Sequence, residues 1–179
     1  MSPDEAELVD ALKSGDKRAF VEIRRRFISQ LYRYACRLLR DPGRAEDAVQ
    51  EAFLALWTKS HLLDRDGNLR SWLYRVVYTK SVDWMRKERE TLVEDGLGPR
   101  EIPNEDPFEH KVVLEQIELA LQKLSLRERS AILLFHLEGL TLLELGRAMD
   151  LSEDAAESLL RRARLSLRKN YPVTQGDEV

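Results

Sequence analysis

Thr141-Leu-Leu-Glu-Leu-Gly-Arg-Ala-Met-Asp-Leu-Ser-Glu-Asp-Ala-Ala-Glu-Ser-Leu-Leu-Arg-Arg-Ala-Arg-Leu-Ser-Leu-Arg168 holds two helix starts with room for only a short turn between them. Thr141 and Glu144 stand three apart, the spacing at which a hydroxyl and a carboxylate reciprocally satisfy the free amides of a helix start. The helix they begin should end near Met149. Ser152 is the next cap, and Glu153 and Asp154 fall in the first turn after it, where the helix dipole favours acids. Two helices so closely joined, the second longer and ending in Arg161, Arg162, Arg164, Arg168 and Lys169, match the helix-turn-helix that reads a major groove. Just upstream, Ser125-Leu-Arg-Glu128 repeats the capping pattern, and Gly139 can supply the left-handed stop of a helix of about three turns.

Each step along a helix turns by about 100 degrees, which sorts the last helix into two sides. Ala156, Leu159, Leu160, Ala163 and Leu167 form the buried side. Glu157, Ser158, Arg161, Arg164, Leu165 and Arg168 form the other, the face available to DNA. Arginines there can neutralise phosphates or bond guanine edges. The same residues also fit a solvated surface helix in which Glu157 and Arg161 pair across one turn. The capped short helix before it moves the reading toward DNA.

Outward from this motif the chain reads as all-α. Apolar residues recur at helical spacing from Leu8 to Arg40 and from Arg44 to Lys59, with no convincing alternating strand pattern. Asp41-Pro42 is a plausible helix start, since proline is tolerated in the first turn. In the helix that follows, Ala45, Ala48, Val49, Ala52, Phe53, Leu56 and Trp57 form a continuous buried stripe, with Glu46, Asp47, Gln50 and Glu51 opposite. Taken alone, those acids are a solvated face.

A third long helix, about Leu69 to Glu90, sets Leu69, Trp72, Leu73, Val76, Val77 and Trp84 on one side. Tyr74, Arg75, Tyr78, Arg86 and Arg89 turn away from them. Tyrosines and arginines on one face suit single-stranded nucleic acid, because rings stack on unpaired bases while guanidinium groups hold the backbone. Tyr74 and Tyr78 could equally pack on a neighbouring helix. Lys80 and Asp83 lie toward the buried side, placed to pair. The polar turn Leu63-Asp-Arg-Asp-Gly-Asn68 is a candidate lining for an extruded base.

From Thr91 to Glu109 prolines and glycines sit among six acids, the composition of an extended linker. The expected organisation is therefore two small helical domains, 1–90 and 110–170, joined by an extended acidic linker at 91–109, with a polar tail at 171–179. The C-terminal domain contains the helix-turn-helix.

Composition narrows the function. Of the 179 residues 34% are charged, yet the formal net charge is −3, so no bulk positive field holds the chain on DNA or on an anionic membrane. Nucleic-acid contact must be local. No apolar run approaches a membrane span and Met1 to Asp10 carries acids, so no membrane insertion and a cytoplasmic location are expected. Cys36 stands alone and the three histidines show no metal-ligand spacing, and no phosphate loop or nucleophile motif is present. Neither an enzyme, a metal nor a cofactor is expected.

Ala45-Glu-Asp-Ala-Val-Gln-Glu-Ala-Phe-Leu-Ala-Leu-Trp57 resembles the segment with which extracytoplasmic-function sigma factors, reduced members of the sigma-70 family, dock on the clamp helices of RNA polymerase. Leu69-Arg-Ser-Trp-Leu-Tyr-Arg75, with Asp83 and Arg86, is similar to the helix that melts and reads the minus-ten element. Leu124 to Glu128 and Leu140 to Arg168 resemble the domain that reads the minus-thirty-five element. The likeness spans nearly everything from Leu8 to Lys169. It implies core RNA polymerase, promoter DNA and an anti-sigma factor as partners, and it assigns Glu46, Asp47, Gln50 and Glu51 to polymerase binding. It implies minus-ten contacts from Tyr74, Arg75, Tyr78, Arg86 and Arg89, and minus-thirty-five contacts from Glu157, Ser158, Arg161, Arg164 and Arg168. The linker would run through the polymerase interior, and the polymerase would supply most of the nonspecific DNA affinity.

Three places in the chain depart from that pattern. Ala155-Ala-Glu-Ser-Leu159 stands where Thr-Val-Lys-Ser-Arg is usual, Asp150 replaces the turn glycine, and Tyr78-Thr79 replaces Arg-Asn. Either the promoter is atypical or upstream binding is weak. Two other functions compete: an autonomous helix-turn-helix regulator, which leaves the clamp-like helix unexplained, and a sigma mimic that sequesters an anti-sigma protein.

Overall fold

The computed structural model describes residues 3–63, 69–95 and 113–171. The polar turn at 64–68, most of the expected linker and the tail fall outside these residues. Among the described residues the regular structure is helical throughout: α1 (Pro3–Lys13), α2 (Lys17–Leu39), α3 (Pro42–Lys59), α4 (Leu69–Asp95), α5 (Val113–Gln122), α6 (Leu126–Ile132), α7 (Leu142–Met149) and α8 (Glu153–Asn170). No described helix is long and apolar enough to cross a membrane.

Local chemistry explains most of the boundaries. Asp41 accepts from the Arg44 amide at 3.0 Å, with Pro42 in the first turn of α3. The Ser125–Glu128 and Thr141–Glu144 capping boxes are both complete, and Ser152 accepts from the Ala155 amide at 3.2 Å. Asp150 takes the left-handed conformation at φ 58°, the role the sequence assigns to it in place of glycine. Gly146 is required on the other side of that turn, because a Cβ there would lie 2.8 Å from the Leu151 carbonyl oxygen.

Two boundaries differ from expectation. The periodic stretch from Leu8 to Arg40 is two helices, broken where Gly15 turns at φ 87° and Asp16 caps α2 through the Arg18 amide. The third long helix continues to Asp95, past the expected linker start at Thr91, because the first helix breaker is Gly96.

Helices α1 to α4 form one bundle and α5 to α8 a second, and the two share a single hydrophobic core. The side of α4 opposite its own bundle packs on α7, while α2 meets α6 and the π-helical turn Leu133–Leu137 that follows it. Two buried polar pairs cross this joint. Tyr34 and Ser130 share a 2.6 Å hydrogen bond, and the Tyr74 hydroxyl donates to the Glu138 carboxylate at 2.7 Å. The Tyr34 and Tyr74 rings meet edge to face at 5.3 Å.

Arg129 fastens the joint from beside. Its guanidinium donates to the carbonyls of Leu121 (3.0 Å) and Gln122 (3.0 Å) at the end of α5, to Leu124 (3.4 Å) in the turn after it, and to Leu38 (3.1 Å) near the end of α2. Carbonyls in the last turn of a helix lack intrahelical donors, so one cation caps two helix ends from different halves.

Candidate nucleic-acid and protein interfaces

Helix α3 presents Glu46, Asp47 and Gln50 to solvent as expected, whereas Glu51 is half-buried and pairs with Lys80 of α4 at 3.2 Å. The expected Lys80–Asp83 pair is not formed, and Asp83 faces Arg86 at 3.4 Å instead. Arg44 clamps α3 onto α4 through two bonds to Glu88, at 2.7 and 3.1 Å. The exposed face is therefore held on a rigid pair of helices.

Trp57 does not close the buried stripe. It is 40% exposed, its ring 5.4 Å from Phe20, and Leu54 one turn earlier is 57% exposed. Asp47, Gln50, Leu54 and Trp57 recur every three or four residues and so form one ridge, acidic at its start and apolar at its end. The apolar end borders a groove of about 460 Å³ between α2 and α3, with Phe20, Ile28, Val49 and Phe53 in its wall. Sequence reading assigned Trp57 inward because it adjoins Leu56. The signal was Leu54, which lies off the buried stripe and shares its face with Trp57.

Of the residues assigned to the minus-ten face, Arg75 and Arg86 are exposed and Tyr78 is half-buried, while the side chain of Arg89 falls outside the described residues. Tyr74 is corrected. It lies fully buried against the C-terminal half, and burial first, then the bond to the Glu138 carboxylate, pushes its hydroxyl pKa well up. Arg75 is exposed but engaged, 2.9 Å from Asp150 in the turn of the helix-turn-helix.

The face of α8 emerges as read. Glu157, Ser158, Arg161, Arg164, Leu165 and Arg168 are all exposed, and Ala156, Leu159, Leu160 and Ala163 are buried with Leu167 partly covered. Among the described residues, Arg164 is the one residue of this face with partners from another element. Its Nε donates to His136 Nε2 at 3.2 Å and its guanidinium lies 5.3 Å from the Phe135 ring centre.

This arrangement has known counterparts. The model of Sigma-70 region 2 matches residues 23–91, and that of Sigma-70, region 4 matches residues 114–167. The RNA polymerase sigma factor CnrH of Cupriavidus metallidurans is 30% identical over 181 residues, covering 93% of this chain and 95% of that protein. The chain belongs to the extracytoplasmic-function sigma factors of the sigma-70 family. The ECF RNA polymerase sigma factor SigW of Bacillus subtilis is 25% identical over 90% of this sigma factor and 93% of its own length. Among solved structures, CnrH in complex with the cytosolic domain of CnrY superposes with a TM-score of 0.70 at 26% identity, covering 92% of this chain and 95% of that one. The sigma factor RpoE from Bartonella quintana, crystallised with the anti-sigma factor NepR, shares the fold with a TM-score of 0.74 at 24% identity, over 87% of this chain and 98% of that one.

Proposed function

We propose that this sigma factor binds core RNA polymerase through the α3 ridge of Glu46, Asp47, Gln50, Leu54 and Trp57, and directs it to a promoter read by α4 and α8. The observation that carries the reading is the division of labour among exposed faces. An acidic-to-apolar ridge suits a protein partner, whose apolar contacts supply affinity while charges set orientation. The arginine face of α8 suits duplex DNA. Glu51 contributes indirectly, since its bond to Lys80 braces α3 against α4.

Use of both promoter elements requires the two halves to part. Elements centred about 25 base pairs apart are separated by roughly 85 Å at 3.4 Å per step. In the structure α4 touches α7 directly, and Arg75 and Asp150 are 2.9 Å apart. The present arrangement is then a closed, promoter-incompetent form, and opening frees Arg75 for the minus-ten strand beside Tyr78, Arg86 and Arg89. An anti-sigma factor that favours the closed form would silence the protein by differential affinity for two states. We place this cycle in the cytoplasm, where polymerase and promoter meet.

The acidic entry to α8, with Glu153, Asp154 and Glu157, weakens phosphate attraction there and leaves Arg161, Arg164 and Arg168 as the upstream contacts. The test is run-off transcription by the full chain with purified core polymerase on a genomic fragment library. Discrete sigma-dependent transcripts are expected. Core binding without any promoter opening would overturn the reading in favour of a sequestering mimic.

A further inference from the structure

Leu133–Leu137 forms a π-helical turn in which the Glu138 amide reaches back to the Leu133 carbonyl at 3.0 Å, and Gly139 then reverses the chain at φ 68°. Such widened turns alter the direction of the side chains they carry. Here Phe135 and His136, neighbours in sequence, both meet the same guanidinium of α8, and their own rings touch edge to face at 5.1 Å. We propose that His136 is a positioning residue for Arg164, setting the guanidinium in the orientation with which α8 reads upstream promoter DNA.

The hydrogen bond has a defined polarity. Arg164 Nε can only donate, so His136 Nε2 must be an unprotonated acceptor, with the ring proton on Nδ1. Partial burial and then the charge of Arg164 itself lower the His136 pKa, which keeps the ring neutral at neutral pH. Engaging Nε leaves both terminal nitrogens of Arg164 free, the pair that forms the fork to guanine or phosphate. Phe135 adds a cation–π contact, its ring centre 5.3 Å from the guanidinium carbon. A long flexible side chain is thereby ordered before DNA arrives, which reduces the entropy lost on binding. Among the described residues, none of the other arginines on the outer face of α8 has such support.

The inference rests on the reading of α8 as the upstream-DNA helix, and the experiment separates the two. Holoenzyme assembled from core polymerase and the full chain is selected against promoter fragments with a randomised upstream duplex, for wild type, Arg164→Ala, His136→Leu, His136→Gln and the Arg164→Ala/His136→Leu double variant. Arg164→Ala should erase preference at one base position, or lower affinity uniformly and reduce the salt slope by about one if Arg164 meets phosphate. His136→Leu should reproduce the same signature at reduced size, about fivefold for one hydrogen bond. His136→Gln, whose amide oxygen can accept from Nε, should restore it, and the double variant should behave as Arg164→Ala alone. If Arg164→Ala acts but His136→Leu does not, or their effects multiply, the positioning role is overturned. If Arg164→Ala changes neither preference nor affinity, the reading of α8 fails and takes the positioning role with it.

Discussion

Replacing Tyr74 with Phe removes one oxygen from the joint between the halves and leaves its packing in place. The phenyl ring keeps the edge-to-face contact with Tyr34 at 5.3 Å, so the change isolates the hydrogen bond to Glu138, whose residue is only 8% exposed. A hydrogen bond to a charged acceptor contributes about 1.5–3 kcal/mol net, and its loss leaves a carboxylate short of a donor in a covered site. If the closed form alone contains that bond, the ratio of open to closed molecules should rise roughly 10- to 150-fold. The Arg75–Asp150 pair is a useful contrast, since its side chains are 49% and 77% exposed. Exposed pairs contribute about 0–1 kcal/mol, so Asp150→Asn should shift the ratio less than about fivefold. The assay is single-molecule energy transfer in a Cys36→Ser background, with dyes on cysteines introduced at the exposed Lys59 and Lys169 at the ends of α3 and α8. Tyr74→Phe should increase the low-transfer population and Asp150→Asn should barely change it. An unchanged distribution for Tyr74→Phe would refute the assignment of this bond as a latch.

Three further outcomes follow from the packing. Arg129→Met should lower stability by about 3 kcal/mol or more, read as a drop in the urea midpoint, because the carbonyls of Leu38, Leu121, Gln122 and Leu124 lose the guanidinium together. Gly146→Ala forces a Cβ against the Leu151 carbonyl oxygen at 2.8 Å and should cost about 1–3 kcal/mol in thermal unfolding while weakening upstream-DNA affinity more than polymerase affinity. Glu128 is held below the ordinary carboxylate range by the Ser125 hydroxyl first and Ser166 of α8 after it. A depressed folded-state pKa gives stability that is present above the unfolded value of about 4.3 and lost as pH falls through the folded value. The stability gap between wild type and Glu128→Gln should therefore be full near neutrality and close below pH of about 4, as followed by chemical denaturation across pH.

The helix-turn-helix was legible because its signals are local. Thr141, Glu144, Ser152 and Asp150 act within one turn of themselves, and α8 has a single packing partner side, so its periodicity separates buried from exposed cleanly. Helix α4 was less legible for the opposite reason. It packs on α2 and α3 along one side and on α7 along another, so Tyr74 falls on a second buried face that periodicity reads as exposed. Tyr34 carried a usable hint, since it continues the buried spacing of Ile23, Phe27 and Leu31, and a buried hydroxyl requires a partner. That the partner is Ser130 of the other half, and that Lys80 reaches Glu51 rather than Asp83, depends on helix crossings that no spacing rule encodes. The break at Gly15-Asp16 was readable and outweighed by uninterrupted apolar spacing on either side.

The most direct measurement of the central claim is equilibrium binding of the labelled full chain to purified core RNA polymerase, comparing wild type with Asp47→Arg. Asp47 is exposed at the acidic start of the α3 ridge, so charge reversal leaves the fold intact. Loss of an attractive charge and introduction of a repulsive one predict at least about tenfold weaker binding. An affinity equal to that of wild type would contradict the assignment of this ridge to the polymerase.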